Sequence, residues 1–169
     1  MLSAVDVLVL LKIAAKRGKV LTQPELAGEL FISQSAVNRA LKTATSLNLL
    51  TPRNQGLNAT HLEEALSHGA RYFLAPKRGG EVRGMLTAWA APPLSHVIAS
   101  SDPLPPVWPD PMGDARGLSL EPLHQNVPKA ARLDAQLYEL LAILDVLRVG
   151  GARETKLAAR SLYEHLHAS

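Results

Sequence analysis

Three observations predict a mainly α fold with a small β component. Apolar residues recur at helical spacing behind Ser, Thr or Asp caps through the first 70 residues, and again from Asp134 onward. Nine of the twelve prolines fall between Pro92 and Pro128, a density that excludes long helices. With 47% hydrophobic and 20% charged residues, the 169-residue chain has the composition of a folded protein rather than a disordered one. The expected organisation is an N-terminal unit at 1–70, an extended Pro-rich strand and loop segment at 71–132, and a C-terminal helical hairpin at 133–169.

The first helix is expected over residues 3–17, with Ser3 and Asp6 as a capping box and Gly18 as its stop. Val5, Leu8, Val9, Leu11 and Ile13 point in nearly every direction, so this helix is either covered by later chain or shared with a second copy. Lys19–Leu21 reads as a short strand. The next helix starts at Thr22 with Glu25 as its capping partner, Pro24 being harmless in the first turn; Leu26, Ala27 and Leu30 form its buried stripe. Ser33 caps a third helix reaching about Leu47, backed by Val37, Ala40, Leu41 and Ala44. The stretch "LNLLTPRNQGLN" predicts a strand, a turn at Asn54–Gly56 and a second short strand. A fourth helix is expected from Thr60, with Glu63, to Gly69.

From Tyr72 the pattern changes. "YFLAP" reads as a strand, "KRGGEVRG" as a mobile basic loop or hairpin turn, and "MLTAWAA" as another extended piece. Val97, Ile98, Val107, Trp108, Leu118, Leu120 and Leu123 punctuate the proline-rich stretch. A solvated linker has no need of them. The expectation is an ordered, extended segment lying on a hydrophobic surface, of this chain or of a partner, against the alternative of a free linker. Asp134 then caps "AQLYELLAILDVLRV", Gly150 and Gly151 turn the chain, and "ARETKLAARSLYEHL" closes the hairpin.

Charge is unevenly placed. Residues 1–90 hold eleven Lys/Arg against six Asp/Glu, and residues 91–169 seven against nine, so a polyanionic partner is expected to meet the N-terminal part. The absence of cysteine rules out disulfides and thiolate metal sites and suits a cytoplasmic location. The N-terminal apolar run lacks the charge order of a signal peptide and is too short to span a bilayer, so no membrane association is expected.

The third helix carries the chemistry. At 100° per residue, Ser35, Asn38, Arg39 and Lys42 fall within an arc of about 100°, opposite Val37, Ala40, Leu41 and Ala44. This polar face holds donors and cations with no carboxylate, whereas a solvated face usually mixes both signs. An α-helix fits the DNA major groove, where Arg reads guanine and Asn reads adenine through paired hydrogen bonds. Ser33 and Ser35 can offer hydroxyls and N–H groups to phosphate, and Lys42 is placed for the backbone rather than for bases. Thr22 and Gln23, together with Lys77, Arg78 and Arg83, are further candidates for backbone contact. The bland alternative is a solvated helix in an interaction module.

These residues resemble a known family. "LTQPELAGELFISQSAVNRALKTATSLNLLTP" is similar to the winged helix-turn-helix of MarR-type bacterial transcription regulators, with an "ELA" helix, a turn at "FIS", a recognition helix "SQSAVNRAL" and "LNLL" leading into a wing. The resemblance covers about Ser3 to Asn58. It implies a winged helix-turn-helix at 1–70 in which Gln34, Ser35, Asn38, Arg39 and Lys42 face DNA. The wing, "PRNQG", is shorter than that family's basic hairpin, leaving Arg53 as its one phosphate candidate.

Other chemistries are poorly supported. The "KRGGEVRG" segment fits neither a P-loop nor a dinucleotide fingerprint, and the six histidines show no metal-ligand spacing. Ser95, His96 and Asp102 lack a nucleophile elbow, so neither catalysis nor a cofactor is expected. The expected partner is double-stranded DNA, bound as a homodimer on a palindromic operator, with contacts between copies from the first helix, the hairpin and the proline-rich segment. Lys12, Lys16, Arg17 and Lys19 are expected to help neutralise phosphates. The alternative is an antitoxin-like module whose C-terminal region binds a toxin-like protein partner while the N-terminus regulates its own operon.

Overall fold

Local capping chemistry sets the first three helices. In the computed structural model, which describes residues 1–51 and 56–168, α1 spans Ala4–Ala15 behind a reciprocal Ser3–Asp6 box. Helix α2, Gln23–Leu30, begins at the equivalent Thr22–Glu25 box, and α3, Gln34–Ser46, begins at Ser33. Each cap satisfies N–H groups that a first helical turn leaves without partners. Phe31 ends α2 in the left-handed region, at φ 57°, and the Ile32 N–H returns to the Ala27 carbonyl at 3.1 Å. The chain thus reverses in three residues, and α2 and α3 pack on each other and on α1. Lys19–Leu21 is not a strand.

Helix α4, Ala59–Phe73, departs from expectation at both ends. Its cap is Asn58, whose side chain accepts from the His61 N–H, rather than Thr60. It also runs through Gly69, where the Phe73 ring fills the place a Cβ would need. Tyr72 and Phe73 are therefore helical, not the start of a strand. Between α3 and α4 a single antiparallel bridge joins Leu50 to Leu57. The predicted wing tip, including Arg53 and Asn54, lies outside the described residues.

The basic loop of the sequence reading is a strand. β1, Arg78–Leu86, pairs antiparallel with both β2, Pro106–Pro109, and β3, Ala115–Leu120, while β2 and β3 run parallel. Each strand thus pairs with the other two, closing a small barrel. Such tight closure needs positions without side chains: a Cβ at Gly84 would strike the Trp108 carbonyl oxygen, and one at Gly117 that of Pro105. A buried carboxylate helps hold the barrel on the C-terminal hairpin. Asp145, 1% exposed, accepts hydrogen bonds from the Thr87 hydroxyl at 2.6 Å, the Trp108 indole at 2.7 Å and the Arg148 guanidinium at 2.7 Å.

Proline-rich sequence therefore folds on this chain's own hairpin rather than lying extended throughout. Val107, Trp108, Leu120 and Leu123 are buried, and the segment also contains α5, Val127–Leu133, a helix absent from the expectation. Its Pro128 sits in the first turn, where the lost N–H costs nothing. Helices α6, Ala135–Val149, and α7, Ala152–Leu166, form the anticipated hairpin with Asp134 as the cap.

Helices α1 and α6 together answer the question posed by the all-round apolar sequence of α1. They pack on each other; α1 is also covered by α2 and α3, and α6 by α4, α5, α7 and the Ala88–Ala90 turn. Val7–Leu11 and Leu140–Leu147 are all buried within one chain. A second copy is not needed to cover them. Residues of all three predicted segments join one core, from Val7 to Leu162. Among the described residues, no helix is long and apolar enough to cross a membrane.

Candidate nucleic-acid interface

The α3 surface divides as its wheel requires. Val37, Ala40 and Ala44 are 0–1% exposed against the core. On the other side Ser35, Arg39 and Lys42 are exposed and Asn38 is half-buried. Among the described residues, no carboxylate forms an ion pair with Arg39 or Lys42, and none of the protein's own chain closes over them. Ser33 is partly committed: its Oγ accepts from the Ala36 N–H at 3.1 Å and lies 3.2 Å from the Ser35 Oγ. Gln34 is exposed at the first helical position, where unpaired backbone N–H groups favour an anion. The face is therefore cationic and donor-rich, with no ion-paired counter-charge among the described residues.

The neighbouring candidates fare differently. Thr22 is exposed, with its oxygen engaged by the Glu25 N–H, and Gln23 is half-buried at the start of α2. Lys77, Arg78 and Arg83 are exposed, but on or beside β1, which packs on β2 and β3, while α3 packs on α1 and α2. Close packing between elements does not bring these cations against α3. Arg83 is the cross-strand neighbour of Arg116 on β3, and Arg116 pairs with Glu81 at 3.0 Å.

Two lysines counted toward phosphate binding are spent inside the protein. Lys12 has no exposed surface, and its ammonium lies 3.0 Å from Glu29 and 2.9 Å from Asp134. Lys16 reaches the same carboxylates at 3.3 and 3.5 Å. Burial alone would raise the Asp134 carboxyl, but the hydrogen bond from Lys12, the Leu137 N–H and the charges of Lys12 and Lys16 hold it below the usual range. Glu29 is lowered against its burial by the same two lysines. Arg17 remains exposed and donates to Gln136, and Lys19 is exposed.

No family model, curated protein or solved structure matches the chain. The geometry of the surface therefore has to speak for itself. One part of that geometry escaped the sequence reading. Asn126, just before α5, donates from its side-chain amide to the Phe31 carbonyl at 2.7 Å, and the Lys129 ammonium stands 5.7 Å from the Phe31 ring centre. Both reach the α2–α3 turn across some 95 residues of sequence. No local spacing could have signalled them. Elsewhere, among the described residues, no group of three His, Asp or Glu side chains is placed to hold a metal ion.

Proposed function

We propose that this protein is a sequence-specific DNA-binding transcription regulator whose N-terminal helices act as a winged helix-turn-helix of MarR type. The observation that supports it is the exposed, acid-free face of α3 carrying Ser35, Asn38, Arg39 and Lys42. A helix so presented enters a major groove about 12 Å wide, with Arg39 and Asn38 at base edges and Lys42 at the backbone. One such helix spans few base pairs, so useful affinity calls for two copies on a palindromic site. The apolar faces of α1 and α6 are used up within one chain, so contacts between copies have to come from other surfaces.

Selection of bound fragments from random duplex DNA supplies the operator. On that operator, Arg39→Ala is expected to reduce discrimination against altered bases by about 1–3 kcal/mol, roughly 5- to 150-fold. Lys42→Ala is expected to weaken binding to all duplexes alike and to flatten the salt dependence by about one unit. Circular dichroism checks that both variants stay folded. Unchanged affinity and preference in both would remove the assignment.

A further inference from the structure

The C-terminal half of the chain is slightly acidic, yet its tertiary placement delivers a cation to the α2–α3 turn. Phe31 closes α2 and lies two residues before the Ser33 cap of α3. Against it sit Asn126, bonded to its carbonyl, and Lys129, whose ammonium is held near its ring. Helix α5 carries two cations close together, and their fates differ. Arg132 is paired with Asp110, whereas Lys129 is exposed and, among the described residues, has no carboxylate within ion-pair distance. Its attraction to the Phe31 ring orients the ammonium without cancelling its charge.

A helix with side chains is about 10–12 Å across, nearly the width of the major groove. When the N-terminal end of such a helix enters the groove, the turn preceding it is carried to the groove's edge, where the phosphates run. A cation anchored on that turn meets phosphate rather than base. We propose that Lys129 is a DNA-phosphate contact, supplied to the flank of α3 by α5, and that Asn126 keeps α5 docked on the turn. This rests on α3 being the DNA-reading helix.

The test uses the full chain and two duplexes, the selected operator and a scrambled one, titrated across salt concentrations. Lys129→Gln is expected to lower affinity for both duplexes by the same factor and to reduce the salt slope by about 0.9, the value for one phosphate. Lys129→Arg should keep the slope. Lys156→Ala, which removes an exposed lysine of α7, should match the parent protein. A Lys129→Gln protein that behaves like Lys156→Ala, while Lys42→Ala loses binding, overturns the Lys129 contact and leaves the α3 assignment standing. Lower affinity with an unchanged slope also overturns it, because the lysine then acts only by shaping the turn. If Arg39→Ala and Lys42→Ala bind like the parent, the assignment of α3 fails and the Lys129 proposal fails with it.

Discussion

Lys12 illustrates how one side chain can change meaning with its surroundings. In an extended chain it is a solvated cation; here its ammonium is enclosed between Glu29 and Asp134 with no exposed surface. Removing it would leave the Asp134 carboxylate, 6% exposed at its side chain, with the longer Lys16 contact as its remaining ion pair beside the Gln136 and Leu137 N–H groups. Breaking a buried pair from one side typically costs about 3–5 kcal/mol, because the remaining charge cannot recover its hydration. Lys12→Ala is accordingly expected to lower unfolding free energy by about 3 kcal/mol, read from the urea midpoint at constant m-value. A loss under about 1 kcal/mol would mean the pair is solvated. The contrast with Lys42 is instructive: the periodicity of α3 sets Lys42 on a polar face, whereas the apolar sequence around Lys12 does not name the carboxylates that enclose it.

At the scale of elements, the Lys12 cluster ties α1 to the end of α2 and to the cap of α6, and Asn126 ties the start of α5 to Phe31, the residue that closes α2. The α2–α3 connection is thus held by Lys12 of α1 at Glu29 and by Asn126, from the C-terminal side, at Phe31. Asp134 and Glu29 both have folded-state pKa values below their ordinary ones, so the folded state binds protons more weakly than the unfolded chain. Their stabilisation is complete above the unfolded values of about 4 and is lost as pH falls through the lower folded values. The melting temperature is expected to hold between about pH 7 and 5 and to fall steeply below about 4. Asp134→Asn should lower the plateau and shallow the acid decline. That comparison isolates the tie from Asp145, whose burial raises its carboxyl against the opposing pull of Arg148, Thr87 and Trp108 and so acts in the opposite sense. An unchanged acid limb in Asp134→Asn would count against the cluster. Elements were legible where their determinants lie within one turn: the Ser3, Thr22, Ser33 and Asp134 caps and the span of α6. They were illegible where the determinant is a distant strand, because Arg78–Leu86 becomes a strand only through β2 and β3, some 20 to 40 residues on.

For the whole molecule, the central fact is that α6 fills the space between the N-terminal helices and the barrel. The leucines of α1 are covered by it, and Lys12 takes a partner from its cap. A chain ending at residue 70 keeps every residue of the α3 face but exposes the apolar surface of α1. Such a fragment is expected to aggregate or to lack a cooperative thermal transition, while the full chain unfolds in one step. A soluble, cooperatively folding 1–70 fragment would show that the N-terminal unit is self-sufficient.

By itself the sequence determined the helices α1–α3, α6 and α7, the caps at Ser3, Thr22, Ser33 and Asp134 and the polar face of α3, because hydrogen bonds and side-chain periodicity within a turn or two decide those features. Only the tertiary structure decided that Lys12 is buried between Glu29 and Asp134, that the proline-rich stretch closes a barrel, and that Lys129 stands beside Phe31. Each of these depends on groups brought together across many tens of residues, and burial in a shared core, not local propensity, chooses such partners.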